Sequence, residues 1–250
     1  MGRLDGKVAI VTGAGQGVGR GIALALAREG AAVTVAGRTL EKVERTAKDI
    51  ADASGRALPQ RADVSERHDV DAMVAVTVEA FGTVDILVNN AQSTGQGPLD
   101  TLTADDVRRD FSTGPLATLC CMQACLPYLK QRGGTIINLG SSAAILGNPN
   151  FGAYTMAKEA IRGLTKVAAR EWGQYGITVN VICPMSDSPA SDAFLESHPE
   201  HLDRILKETP LGRIGSSEHD IGGACVALAT DLGYLTAATL VLDGGRCILR

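Results

Sequence analysis

Tyr154 and Lys158 stand four residues apart in Tyr154-Thr155-Met156-Ala157-Lys158. On a helix, positions i and i+4 share a face, so this spacing brings a phenol and an ammonium to one cleft. A free tyrosine has a pKa of about 10. A cation close by favours the phenolate and draws that value towards working pH. Such a pair can exchange a proton with an alcohol or carbonyl oxygen as a general acid–base. Taken alone, the five residues also fit a tyrosine packed at a helix start with an exposed lysine.

A second constellation lies near the N-terminus, in Val8–Gly19, VAIVTGAGQGVG. A short apolar run, Val8 to Val11, ends in a glycine-dense turn, and helical apolar spacing begins near Val18 and stops before Gly30. Strand, Gly-rich turn and helix in that order are the context of a dinucleotide site. Glycines let backbone pass within van der Waals reach of a pyrophosphate, and the helix N-terminus offers unpaired N–H groups to the phosphates. Gly13, Gly17 and Gly19 read GxxxGxG and not GxGxxG, because Val18 stands at the last glycine position. A helix-entry loop without a ligand is the alternative for this turn in isolation.

The elements that must carry both groups alternate along the chain. Ala32–Ala36 reads as a strand, Leu40–Ala53 as an amphipathic helix, Ala57–Ala62 as a weak strand and Glu66–Phe81 as a helix. Asp85–Val88 is a short buried strand that ends in Asn89-Asn90-Ala91. Ala104–Ser112 and Leu116–Lys130 are helical, joined through Gly114-Pro115; Thr135–Leu139 is a strand and Gly152–Gln174 a long helix. Ile177–Ile182 is a strand, Glu218–Thr230 a helix, and Thr239–Leu242 a last strand before Asp243-Gly244-Gly245. Repeated βα alternation predicts one doubly wound α/β domain of Rossmann type over residues 1–250. Its parallel sheet has about seven strands, with helices on both faces and right-handed crossovers. The stretch 184–215 has weak order and some helix by pattern and reads as a substrate loop or lid, with Phe194, Leu195, Leu202, Ile205 and Leu206 as its apolar residues.

Composition excludes several classes. The chain has 250 residues, 45% hydrophobic and 21% charged, with a net charge of −4. That is ordinary for a globular protein, and no basic run interleaved with aromatics suggests nucleic acid. No apolar run reaches the roughly 18–20 residues of a membrane span. The N-terminus enters a strand with no secretory pattern, so a cytoplasmic protein is expected. Six cysteines show no CxxC pairing, and Cys120, Cys121 and Cys125 in one apolar helix read as buried thiols. His198 and His201 lack the glutamate of an HExxH site, and no metal is expected.

In sequence order, TGAGQGVG, Asn89-Asn90-Ala91, Ser141 thirteen residues before Tyr154, YTMAK and the C-terminal LDGG resemble the short-chain dehydrogenase/reductase family from about Leu4 to Gly245. PLGRIGSSEHDI (210–221) is similar to the family's segment before its last helix. The resemblance implies an NAD(P)-dependent oxidoreductase that interconverts a ketone and a secondary alcohol. A cofactor-binding protein with little turnover, acting as a sensor or partner subunit, is the alternative. Implied catalytic residues are Ser141, which orients the substrate, Tyr154, the proton donor or acceptor, and Lys158, which binds the nicotinamide ribose. Implied cofactor contacts are Gly13, Gln16, Gly17, Val18 and Gly19 at the pyrophosphate turn, Arg38, Asp63 and Val64 around the adenosine, Asn89 and Ala91 after the fourth strand, and Pro184, together with Tyr154 and Lys158. A homotetramer is implied, built from the helices around 104–130 and 152–174 and the last strand and helix.

Cofactor choice can be read from the second strand, which ends Val35-Ala36-Gly37-Arg38-Thr39. An acid about twenty residues beyond the glycine loop selects NAD through the ribose 2′-OH. Gly37 stands there instead, and Arg38 can pair with a 2′-phosphate. NADP(H) is therefore expected, with NAD(H) as the other possibility. The pocket wall Ala143–Leu146, Phe151 and Met185 is mostly apolar and suits an apolar carbonyl compound, a 3-oxoacyl group or a general ketone.

Three positions depart from the family pattern. Met185 replaces the glycine of a Pro-Gly pair, with Ser188 the nearest hydroxyl to the family's nicotinamide-binding threonine. Gln92 replaces the glycine after NNA, read either as an amide near the cofactor edge or, more simply, as a tolerated surface variant. Gly114 stands where the family usually has a catalytic asparagine. Gly114-Pro115 predicts a break in the helix there, because proline lacks an N–H and clashes with the carbonyl four residues back. On this reading, asparagine at 114 should raise turnover.

Overall fold

The computed structural model describes residues 2–188 and 199–248. Seven strands form one parallel sheet in the order β3-β2-β1-β4-β5-β6-β7. They are β1 (Val8–Thr12), β2 (Ala32–Gly37), β3 (Arg56–Arg61), β4 (Ile86–Asn89), β5 (Gly134–Leu139), β6 (Ile177–Pro184) and β7 (Thr239–Leu242). The order reverses between β1 and β4. In an open parallel sheet, that reversal opens a crevice at the carboxyl ends of the two strands, which here are Thr12-Gly13 and Asn89-Asn90.

The central strands read as continuous apolar runs because both faces of the sheet are covered. Every residue of β1 and β4 is buried. Alternate side chains of β1 enter opposite cores. Ala9 and Val11 pack with Ile22 and Leu26 of α1 (Gly17–Arg28) and Val43 of α2 (Leu40–Asp52). Ile10 packs with Met73 of α3 (Arg67–Phe81) and Met122 of α5 (Ala117–Arg132). α4 (Ala104–Phe111) begins with a capping box between Thr103 and Asp106 and packs on α7 (Gly152–Trp172). A short α6 (Ser142–Leu146) follows β5.

The differences from the sequence pattern have local causes. β3 carries Pro59 and alternates poorly, as an edge strand can. β6 extends beyond Ile182 to Pro184 because β7 pairs with it there, Pro184 opposite Leu242. Between α4 and α5 the chain makes a π-type turn, Ser112–Leu116, and Gly114 leaves helical geometry at φ −94°, ψ −105°. The break predicted from Gly114-Pro115 is present. A second π-type turn, Ser217–Gly222, precedes a short helix, Gly223–Ala229, where one continuous helix was expected. Within 184–215 a helix spans Pro199–Glu208, with Leu202, Ile205 and Leu206 half-buried. Phe194 and Leu195 lie outside the described residues. Among the described residues no helix is long and apolar enough to cross a membrane.

Candidate active site

The crevice begins with a turn made of backbone. Gly13 has φ +65°, a conformation that disfavours any side chain. A Cβ on Gly19 would lie 2.5 Å from the Gly13 carbonyl oxygen and 2.4 Å from Asn90 Nδ2. That close approach is held by Asn90, whose Nδ2 donates to the carbonyls of Thr12 at 2.9 Å and Gly13 at 3.2 Å. Thr12 Oγ1 accepts from the N–H groups of Asn90 and Ala91, at 3.0 and 3.1 Å. The ends of β1 and β4 are thereby tied together. α1 has no side-chain cap and no acidic residue in its first turn. Gln16, at its N-cap, instead accepts from Lys42 Nζ at 2.6 Å.

A cleft of about 570 Å³ runs over this turn, lined by Gly13, Gln16, Gly17, Val18, Gly19, Arg38, Asp63, Val64, Ala91 and Tyr154. These sequence-predicted residues are therefore brought together. The lining also includes Lys42, Asn90, Gln92, Ser93, Thr113 and Ser188. Asn89 is turned away from it, buried, with its Nδ2 donating to Asn138 Oδ1 at 2.8 Å. Ser141, Lys158 and Pro184 do not form the wall of this cleft. Burial, the largest single influence on Asp63, pushes its carboxyl up, but the hydrogen bonds from Ser65 and the charges of Arg38 and Arg61 together outweigh it and hold the group below the usual carboxylate range.

Tyr154 lies in the first turn of α7 and Lys158 one turn later, as the i, i+4 spacing requires. The Lys158 ammonium is 5.4 Å from the centre of the Tyr154 ring and donates to the Leu139 carbonyl at 2.6 Å. Only 4% of Lys158 is exposed, and burial lowers its pKa to about 8. The Tyr154 phenol is raised, not lowered. Burial is the largest cause, hydrogen bonding with Ser141 opposes it, and Cys183 and Asp110 add to it. The expectation that lysine draws the phenol down is not met, because both groups share the same desolvation and the ammonium is directed at a backbone carbonyl. Ser141 sits at the end of β5 as the N-cap of α6, its Oγ accepting from the Ala143 N–H at 3.2 Å. Phe151 packs obliquely on Tyr154, with ring centres 5.9 Å apart.

Asp110 was not visible as a site residue, because its segment ADDVRRD reads as a solvated helix face. It is fully buried and accepts from the Gly95 N–H at 3.3 Å. Its acidity is weakened by that burial. Asn90 was missed for a different reason, since either asparagine of the NNA pair could have faced the cleft. Lys42 is three residues into a helix that reads as surface.

The departures from the family pattern have definite places. Met185 continues the β6–β7 pairing through its N–H, which donates to the Leu242 carbonyl at 2.9 Å. Gln92 is not a surface variant. Both polar atoms of its carboxamide are buried with no hydrogen-bond partner. Position 114 has no side chain, and a Cβ placed there would lie 3.1 Å from both Cδ and Nε2 of Gln92. Asparagine at 114 would crowd the end of the Gln92 side chain, which would have to give by a few tenths of an ångström to admit it. The cysteines of α5 are inert by position: Cys121 and Cys125 are buried, and burial pushes Cys121 up to about 12.

Comparison with known proteins agrees with this geometry. The family model described as Enoyl-(Acyl carrier protein) reductase matches residues 13–246. A 12alpha-hydroxysteroid dehydrogenase from a Clostridium species is 40% identical over 254 residues, covering 98% of this chain and 98% of that protein. The 3-oxoacyl-(acyl-carrier-protein) reductase FabG of Staphylococcus aureus is 37% identical over 244 residues, covering 96% and 97%. Among solved structures, a 7 alpha-hydroxysteroid dehydrogenase complexed with NADH and 7-oxo glycochenodeoxycholic acid superposes with a TM-score of 0.91 at 32% identity, covering 98% of this chain and 96% of that one.

Proposed function

The chain belongs to the short-chain dehydrogenase/reductase family, and we propose that Tyr154 is the acid–base group of its reaction. The protein is an NAD(P)-dependent oxidoreductase that interconverts a ketone and a secondary alcohol. The observation that carries the assignment is Tyr154 reaching the wall of the glycine-turn cleft, one helical turn before a fully buried ammonium. The turn fits a dinucleotide, because side chains at Gly13 and Gly19 would collide with Asn90 and the turn's own backbone, so only bare backbone packs this tightly, and α1 offers uncapped N–H groups. When bound, the cofactor supplies or accepts the hydride.

The remaining chemistry belongs to the chain. In the reducing direction the Tyr154 hydroxyl gives its proton to the carbonyl oxygen, and Lys158 stabilises the phenolate that remains. Ser141 directs its hydroxyl at the same oxygen. A phenol raised by burial stays protonated at neutral pH, as a proton donor must. Replacement of Tyr154 by phenylalanine should leave cofactor binding intact and remove turnover; retained turnover would refute the assignment.

The finer reading is an NADP(H)-preferring enzyme acting on a bulky apolar carbonyl compound. Gly37 places no carboxylate against a 2′-phosphate, and Arg38 and Lys42 are exposed cations on the cleft wall. Leu99, 76% exposed, lies against Gly152, and Leu146, 51% exposed, closes α6 beside α7, so apolar side chains border the approach to Tyr154. Oxidation of NADPH and NADH by an oxosteroid and by a 3-oxoacyl thioester tests both points. Faster turnover with NADPH and the steroid is expected, and equal or better kcat/KM with NADH would overturn the cofactor reading. Leu116 on the π-type turn and Met156 and Val167 on α7 expose apolar surface, which supports a homotetramer; light scattering that shows a stable monomer at micromolar concentration would remove it. The free cysteines suit a reducing, cytoplasmic setting.

A further inference from the structure

Among the described residues three carboxylates are buried, those of Asp85, Asp110 and Asp243. Two have an evident structural use. Asp243 accepts from the N–H groups of Gly245, Arg246 and Cys247 at 3.1, 3.0 and 2.8 Å and so closes the turn after β7. Asp85 accepts from the Val8 N–H at 3.0 Å and sets the start of β4 beside β1. Asp110 is served less well. Its two oxygens share the Gly95 N–H, at 3.3 and 3.4 Å, and Arg109 Nε stands 3.7 Å away. It is also the one buried residue of α4. Hydrophobic residues of similar volume often replace a buried ion pair without loss of stability. Asparagine would accept the same N–H. What only a carboxylate supplies here is charge.

That charge sits where the chemistry is. α4 packs on α7, which carries Tyr154 and Lys158. The segment after Ala91 is tied to the π-type turn, to α4 and to the entry of α7. Ser93 donates its N–H to Thr113 Oγ1 at 3.1 Å, and Gly95 donates to Asp110. Gly97 donates to the Asn150 carbonyl at 2.9 Å and bridges to Phe151, the ring that packs on Tyr154. Gln92, Ser93 and Thr94 of this segment line the cleft together with Tyr154. Asp110 thus meets the phenol through the tied segment and through its field. After burial, and beside Cys183, Asp110 is one of the groups that raise the Tyr154 phenol.

We propose that Asp110 is a positioning residue of the Tyr154 centre, whose buried charge disfavours the phenolate and whose bond to Gly95 fixes the segment bordering the cleft. The proposal rests on the Tyr154 assignment above. Like charges repel, so the carboxylate keeps the phenol a proton donor to higher pH. The other titratable or charged groups about the pair are Arg109 and Asp106 on α4, Lys158 on α7 and Cys183 on β6. The π-type turn and the segment 93–97 bring none.

The test uses the full chain. Tyrosinate absorbance is titrated against pH in the apoprotein, and the difference from Tyr154→Phe isolates the Tyr154 phenol. Asp110→Asn keeps an acceptor for Gly95 and removes the charge. It should move that titration, and the alkaline limb of ketone reduction, to lower pH by about half a unit. Alcohol oxidation near neutral pH, which needs the phenolate, should rise by about threefold. Asp110→Leu removes charge and tie together. It should show the same shift with substrate KM raised by about fivefold, as for the loss of one hydrogen bond. An unmoved phenol in Asp110→Asn would overturn the proposal, and so would a shift to higher pH. Activity lost equally at every pH, with the titration unmoved, would make Asp110 a packing residue and overturn it as well. Should Asp110→Leu fail to fold, the asparagine variant still decides. The two readings fail separately, because the titration does not depend on turnover. Retained activity in Tyr154→Phe would refute the acid–base assignment, whereas an unmoved phenol beside an inactive Tyr154→Phe would refute only the role of Asp110.

Discussion

The two walls of the cleft are built on different principles. The turn after β1 is a backbone site: Gly13 and Gly19 approach each other because they have no side chains, and Asn90 holds the turn through the carbonyl oxygens of Thr12 and Gly13. The opposite wall, where the segment after β4 meets the π-type turn, is a side-chain site. There Gln92 occupies the space that Gly114 leaves open. A backbone site admits few sequences, because any Cβ is a collision. A side-chain site admits exchanges, because a carboxamide can reach one volume from more than one position. The first wall is read from spacing alone, and the second only from contacts.

The largest contrast between the walls should come from Tyr154→Phe. Loss of the proposed proton donor should cost at least about a hundredfold in kcat with little change in cofactor affinity, measured by steady-state kinetics and fluorescence titration. Equal losses in both quantities would merge the two walls into one functional unit.

Lys158→Met probes the energetic cost of the catalytic side. For a lysine whose folded pKa is lowered to about 8 from 10.5, the folded state binds fewer protons between those values. The penalty of burying the charge is thus complete below pH 8 and is relieved as pH rises to 10.5. Removing the ammonium should stabilise the apoprotein by up to about 3 kcal/mol near pH 7, less whatever the bond to Leu139 contributes. That advantage should narrow towards pH 10.5 in paired urea titrations. A difference that stays constant across the window would show that burial does not depress this group.

Gly19→Ala tests the backbone wall. Its Cβ would overlap the Gly13 carbonyl and Asn90, so about 1–3 kcal/mol of stability should be lost, with dinucleotide affinity falling in parallel. A variant with native melting temperature and affinity would mean that the turn is slack. The smallest effect is expected at its rim, where Arg38→Ala should reduce the kcat/KM preference for NADPH over NADH by about tenfold, roughly 1.4 kcal/mol. An unchanged ratio would assign the preference elsewhere.

Much of this was legible in the order of residues. The βα alternation, the glycine spacing and the four-residue step from Tyr154 to Lys158 are local patterns, and a local pattern needs only backbone geometry to become structure. Boundaries shifted where a neighbour intervened, as when β7 extended β6 to Pro184. The break at Ser112–Leu116 was foreseeable from Gly114-Pro115, since glycine frees the backbone just where proline removes an N–H, whereas Pro127 alone leaves α5 continuous. Asp110 and Lys42 were not legible, because a charged residue on an amphipathic helix has no sequence mark that tells a buried site from a wet face.

Sequence by itself determined the fold class, the cradle for a dinucleotide and the pairing of phenol with ammonium, all of which follow from spacing along one or two adjacent elements. Tertiary structure decided what those groups experience. Burial raised the phenol and lowered the ammonium, where proximity alone predicted the reverse for the phenol. It also decided that two departures twenty-two positions apart, Gln92 and Gly114, are one feature. The physical reason is that desolvation and steric exclusion act through space between elements distant in the chain, and neither leaves a period or a motif in the residues that produce it.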